Sequence, residues 1–257
     1  MSVPSAFAAV PLWQDEFNLP VGSGPDPTKW VYDLGDNGWG NKELQTYTDS
    51  RENTIVVADP EAEDGRALVI KAVKTATGYT SARLKTKGKF SVAYGRIEAR
   101  LKLPQGQGIW PAFWMLSDNI DQVPWPGCGE IDIVEVVGHR AGTLHGTVHG
   151  PGYSGQSGVT KSTDLPGGAT FADAYHVFSV DWRPGRIEWR LDGRVYHTLT
   201  PADLPAGTQW VFDDAKHYLL LNLAVGGIWP GYPDATTRFP QEYRIDYVRV
   251  YALKDES

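Results

Sequence analysis

Apolar residues in this chain recur at every second position in short runs, and no segment sustains a helical spacing. The run around 93–103 is the clearest: Ile97, Ala99, Leu101 and Leu103 share one face, and Arg96, Glu98, Arg100 and Lys102 the other. The same reading predicts strands at 66–74, 80–86, 93–103, 110–116, 130–137, 144–149, 175–182, 186–191, 195–199, 218–225 and 243–251. Asp192-Gly193, between two of these, is a two-residue hairpin turn, because both positions tolerate positive φ. One short turn of helix is expected at 171–175. Glycines (28) and prolines (18) punctuate the runs, and neither an internal repeat nor a low-complexity linker interrupts them. The expectation is a single all-β domain over 1–257, with two antiparallel sheets packed as a sandwich or jelly roll.

Composition narrows the partner. Asp and Glu total 31 against 24 Lys and Arg, a net charge of -7 that opposes nucleic-acid backbones and anionic lipid. No apolar run is long enough to span a bilayer. A neutral or apolar ligand is expected instead. Ten Trp and twelve Tyr offer flat faces to sugar rings, and they equally fill a sandwich core; position has to decide. Cys128 stands alone, so no intramolecular disulfide forms, and it is expected to pack as a small apolar residue. No intact signal peptide is present. Ala6-Phe7-Ala8 resembles the end of one, so residues 1–10 read equally as a remnant of processing or cloning and as an ordinary Ala-rich terminus.

The chemistry lies in Glu130-Ile131-Asp132-Ile133-Val134-Glu135, three acids inside an apolar, β-branched run. Such a run favours a buried strand, where carboxylates are costly unless paired or facing a cleft. Alternation places Glu130 and Asp132 on one face and sends Glu135, five residues on, to the other. One extra residue among Ile133 and Val134, a β-bulge, would restore Glu135 to the acid face. Four regular steps span roughly 13 Å, so the two Glu side chains must lean together across Asp132. Retaining and inverting glycosidases differ in carboxyl separation, and spacing alone does not choose between them. Crowding keeps one carboxyl protonated as a general acid while an ionised partner attacks. A divalent-metal site and a chance cluster on an edge strand remain open on these residues alone.

This acid run resembles the bulged signature of glycoside hydrolase family 16. Trp39-Gly40-Asn41-Lys42-Glu43-Leu44-Gln45-Thr46-Tyr47, Gly108-Ile109-Trp110-Pro111-Ala112-Phe113-Trp114-Met115-Leu116, Gly146-Thr147-Val148-His149-Gly150 and Ile245-Asp246-Tyr247-Val248-Arg249-Val250-Tyr251 resemble segments of its bacterial laminarinases. The likeness runs from Leu12 to Tyr251. It implies a jelly-roll sandwich of two curved antiparallel sheets with a concave substrate cleft, and a retaining double displacement without redox or organic cofactor. Glu130 would be the nucleophile, Asp132 its helper and Glu135 the acid/base.

The same resemblance puts Trp110 and Trp114 in the cleft on the non-reducing side and Arg83 on a cleft-facing strand. Asn41 and Glu43 would meet sugar hydroxyls, His149 the sugar beyond the cleavage point, and Trp125 and Trp229 the cleft rim. Glu16, the carbonyl of Gly65 and Asp246 would hold a structural calcium on the opposite face. The implied activity is that of a secreted, monomeric endo-β-1,3-glucanase, with mixed-linkage β-1,3-1,4-glucan as a further substrate. Taken bare, these residues read as core tryptophans, a solvated loop, an exposed strand arginine and acid, and a structural histidine. A non-catalytic carbohydrate-binding jelly roll and a relative acting on agarose or carrageenan are the alternatives.

Overall fold

The computed structural model describes residues 10–254, so Ala6-Phe7-Ala8 and the reading of the first residues as a processing remnant lie outside the described residues. Seventeen strands form among the described residues. They are β1 (Trp13–Asp15), β2 (Val31–Asp33), β3 (Gln45–Tyr47), β4 (Thr54–Ala58), β5 (Arg66–Lys74), β6 (Tyr79–Ser81), β7 (Arg83–Lys85), β8 (Gly95–Lys102) and β9 (Ile109–Ser117). After these come β10 (Glu130–Glu135), β11 (Thr143–His149), β12 (Val159–Asp164), β13 (His176–Arg183), β14 (Arg186–Leu191), β15 (Arg194–Leu199), β16 (His217–Val225) and β17 (Gln241–Tyr251).

Two sheets result, packed as a jelly-roll sandwich. One has ten strands in the order β15-β14-β13-β8-β17-β5-β6-β3, with β1 added on β17 and β4 on β5. The other has seven, β12-β11-β10-β9-β16-β7-β2. Pairing is antiparallel except between β3 and β6, which run parallel, so the larger sheet is mixed. The alternation on β8 sends Ile97, Ala99 and Leu101 into the core, where they join Val180, Ile245 and Val248 from neighbouring strands. Phe113, Met115, Ile131, Leu219, Leu221 and Leu223 meet them from the seven-stranded sheet. Each such side chain, fully buried, stabilises the sandwich by roughly 1.5–3 kcal/mol relative to exposure.

The polar positions of β8 line the outer face of the larger sheet and are matched across strands. Arg96 forks onto Asp181 at 2.6 and 2.7 Å, and Arg190 reaches the same carboxylate at 3.0 Å. Arg249 forks onto Glu16 at 2.9 and 2.7 Å and also reaches Glu63 at 2.9 Å. Arg100 pairs with Asp246, whose carboxylate also accepts the Glu63 N–H at 3.1 Å. These pairs tie the residues around β1 and β17 to the loop between β4 and β5.

Three local expectations are revised or filled in. The single strand expected at 80–86 is two: β6 pairs in the larger sheet and β7 in the smaller, and the chain changes sheets at the buried Ala82. The segment 171–175 forms a turn rather than helix, fixed by Thr170 accepting from the Asp173 N–H (3.1 Å) while Asp173 accepts from the Thr170 N–H (2.8 Å). Strands β1 to β4 and β12 are short or lack apolar alternation, and their pairing partners rather than their own pattern make them strands. Asp192 and Gly193 both have positive φ, 48° and 79°, as the hairpin requires.

Candidate active site

The offset of Glu135 is resolved by an irregularity in β10. Against β9, Asp132 pairs with Trp114 and Val134 with Phe113, so Ile133 is the extra residue. Against β11, Asp132 pairs with Thr147 and Glu135 with His145, again one residue too many on β10. Ile133 and Val134 both point into the core at 1% and 0% exposure. Glu130, Asp132 and Glu135 consequently line the outer face of the seven-stranded sheet. Beneath the bulge, the Trp189 indole of β14 crosses from the other sheet and donates to the Asp132 carbonyl at 2.8 Å.

The three acids are crowded and poorly hydrated. Glu130 accepts from the Trp125 indole at 2.8 Å and Glu135 from the Trp110 indole at 3.2 Å. The Glu130 and Asp132 carboxyls are near enough for a proton on one to be shared with the other. Nε2 of His149 lies 3.2 Å from Asp132 Oδ2 and 3.9 Å from Glu130 Oε1. The first approach lacks hydrogen-bond alignment and leaves Asp132 Oδ2 buried without a bonded partner. Burial, with the Asp132 charge second, pushes the Glu130 carboxyl up to about 8. Burial likewise raises Asp132, and it raises Glu135 well above the ordinary carboxylate range, the charges of Asp132 and Glu130 adding to the effect. Glu135 is thus built to keep a proton, and Glu130 and Asp132 to share one. Glu130, Asp132 and His149 offer ligand atoms within 4.8 Å of one another, so the metal alternative raised by the acids alone has its donors here too.

Neighbouring strands furnish the floor. Trp110 and Trp114 project from β9 onto the acid face. The Trp114 indole donates to Asn222 Oδ1 at 2.7 Å, and Asn222 Nδ2 donates to the Tyr47 hydroxyl at 3.1 Å. Tyr47 in turn donates to Glu43, which also accepts from Asn41 (3.0 Å) and Gln45 (2.6 Å). Glu43 is therefore buried and saturated by protein donors, and Asn41 is half-buried and bonded to it. Arg83 of β7 lies over both the Trp39 and Trp114 rings and donates to Asp33 at 2.9 Å.

Two rim loops close the sides. The β9–β10 and β16–β17 connections leave opposite ends of antiparallel neighbours, and they carry Trp125 and Trp229, 44% and 43% exposed. Trp229 meets Trp110 and His145 edge-on at 5.4 and 5.1 Å. The remaining predicted set lies elsewhere: Glu16, Gly65 and Asp246 belong to the larger sheet and its loops, far around the sandwich from the acids. Cys128 is buried beside Leu116, Tyr218 and Leu220 under the β9–β10 loop. Asn222, Tyr47 and His145 were not singled out from sequence. A polar Asn inside the run Leu219-Leu220-Leu221-Asn222-Leu223 was the available signal for the first.

A sandwich whose open face carries paired carboxylates among tryptophans has the architecture of a glycoside hydrolase. The family model for Glycosyl hydrolases family 16 matches residues 41–249. A β-glucanase of Rhodothermus marinus is 42% identical over 93% of this chain and 84% of its own. The catalytic domain of an endo-1,3-β-glucanase (laminarinase) of Thermotoga petrophila is 47% identical with a TM-score of 0.86, covering 96% of this chain and 98% of that one. Endo-β-1,3-glucanase from Pyrococcus furiosus is 46% identical, also at 0.86, covering 96% and 95%. The chain belongs to glycosyl hydrolase family 16, a family of enzymes that need no organic cofactor.

Proposed function

We propose that the chain hydrolyses internal β-1,3-glucosidic bonds of laminarin-type glucans with retention of configuration. The observation that carries this reading is the bulge that turns Glu130 and Glu135 to one face beside tryptophans. Glu135 donates its proton to the glycosidic oxygen as a Glu130 oxygen bonds the anomeric carbon, and the C–O bond to the leaving sugar breaks. The proton shared by Glu130 and Asp132 rests on Asp132 as negative charge leaves Glu130. Glu135, now ionised, takes a proton from water, whose oxygen displaces Glu130 and regenerates the site.

The named relatives act on β-glucans, and Trp110 and Trp114 give a neutral sugar chain apolar faces to stack on. The net charge of -7 disfavours sulfated galactans such as carrageenan. A polymer of this kind is met outside the cell, which supports a secreted enzyme, and a cleft built by one chain supports action as a monomer. The test is product analysis on laminarin, lichenan and agarose with the anomer followed by NMR. Short oligosaccharides released from laminarin, first as the β-anomer, are expected, with lichenan cut at its β-1,3 neighbourhoods. An α-anomer at early times would overturn the roles of the two glutamates. Turnover of agarose alone would overturn the substrate, and binding without reducing-sugar release would make the chain a lectin.

The calcium proposed from the resemblance finds a donor set that does not fit it as arranged. Both side-chain donors carry a guanidinium, Arg249 on Glu16 and Arg100 on Asp246, and the Gly65 carbonyl accepts the Asp59 N–H at 2.9 Å. A neutralised carboxylate offers a cation little. Melting with EDTA is therefore expected to match melting with added calcium. A fall of more than about 4 °C on chelation, the effect of losing roughly 1–2 kcal/mol, would restore the calcium assignment.

A further inference from the structure

We propose that Arg83 is a positioning residue for the sugar platform: in cation–π contact with two indoles, it holds the Trp114 ring in place. The inference rests on reading the cleft as a glucan site. Cζ of Arg83 lies 4.8 Å from the Trp39 ring centroid and 4.7 Å from that of Trp114, both within cation–π range. Its Nε is committed to Asp33 at 2.9 Å, and its side chain is only 14% exposed. Two indoles and the Asp33 carboxylate thus hold the guanidinium within the protein surface. An arginine held in this way acts on sugar chiefly through the ring it orients.

Each partner is itself restrained. The Trp114 indole edge is fixed by Asn222 at 2.7 Å, so Arg83 supplies the restraint on its face. Trp39 sits in a left-handed conformation, φ 49°, with its N–H bonded to Asn37 at 2.9 Å and its indole N–H to the Gly35 carbonyl at 3.3 Å. Asp33 reaches both Arg83 and Lys85 from β2, the edge strand. Arg83 therefore couples three segments, the 38–40 turn, β2 and β9, around one flat cation. A lysine would satisfy Asp33 as a point charge but has no planar fork to lie over two rings.

The variants are Arg83→Lys and Arg83→Met, assayed on long laminari-oligosaccharides and by acrylamide quenching of tryptophan emission. Each is expected to raise KM about tenfold, the loss of one or two cation–π contacts, with kcat within about threefold of the parent. Quenching should increase in both, because Trp39 and Trp114 lose their shared contact. Arg83→Lys with parental KM and quenching would overturn the proposal, since charge alone would then suffice. So would a fall in kcat at unchanged KM, which would move Arg83 to the chemical step. A lower melting temperature with KM and quenching unaltered would reduce it to a stabilising ion pair and likewise overturn it. If the parent chain turns over no β-glucan, the functional reading fails, while quenching without substrate still decides whether the stack exists.

Discussion

Glu135→Gln and Glu130→Gln are each expected to abolish most activity while making the protein more stable at neutral pH. Removing a positioned general acid costs about 10²–10⁴-fold in rate, and removing a nucleophile leaves no route to a covalent intermediate. The stability change has the opposite sign because burial raises these carboxyls rather than lowering them. A Glu130 carboxyl raised to about 8 keeps its proton in the fold while the unfolded chain releases it near pH 4. Between those values the native state binds more protons, so stability falls as pH rises through that window. A neutral Gln of the same shape escapes this loss and retains the carbonyl oxygen that Trp125 or Trp110 bonds.

At about 1.4 kcal/mol per pKa unit, and with crowding shared among three acids, relief of order 1–3 kcal/mol is expected at pH 7.5. For a domain of this size that is roughly 2–10 °C in Tm. Scanning calorimetry of the parent and both variants at pH 3 and 7.5 checks the sign. The gain should be present at pH 7.5 and absent at pH 3, where folded and unfolded carboxyls are both largely protonated. Variants that melt at or below the parent at pH 7.5 would show that the native site favours ionised carboxylates.

The part of this site legible in sequence was the part governed by alternation. Three acids in an apolar run conflict with a period of two, and only an insertion at Ile133 or Val134 removes the conflict; the register against β9 puts it at Ile133. Alternation also separated the inner and outer faces of β8. What alternation does not encode is which distant residue completes a contact. Glu43, read as a sugar-facing side chain, lies buried under donors from Asn41, Gln45 and Tyr47. Its setting depends on β16, far along the chain, whose Asn222 bridges Tyr47 to Trp114. The split of 80–86 was hidden for a similar reason. Residues 79–85 keep a strand-like composition throughout, and only the two different sets of partners show that the chain crosses from one sheet to the other.

The same long-range dependence ties the acids to Trp189, a residue outside the cleft. A bulge disturbs the ladder, and the Asp132 carbonyl at its start takes its hydrogen bond from the Trp189 indole at 2.8 Å. The ring is fully buried and stacks on His197 at 4.5 Å. Gly146 of β11 leaves it room, since a Cβ there would come within 2.5 Å of Trp189 Cδ1. Trp189→Phe keeps an aromatic ring but removes the indole donor from the buried Asp132 carbonyl, at a cost of about 1–3 kcal/mol. Trp189→Ala adds a cavity and should cost roughly 3–5 kcal/mol. Both should lower Tm, and kcat/KM measured well below the melting range should fall too, because the bulge sets the relative placement of Asp132 and Glu135. Gly146→Ala, pressing on the same ring and on the Tyr196 hydroxyl beside it, should reproduce the loss of kcat/KM. A Trp189→Phe enzyme that melts lower yet keeps the parental kcat/KM would mean that this bond holds the sandwich together without setting the geometry of the acids.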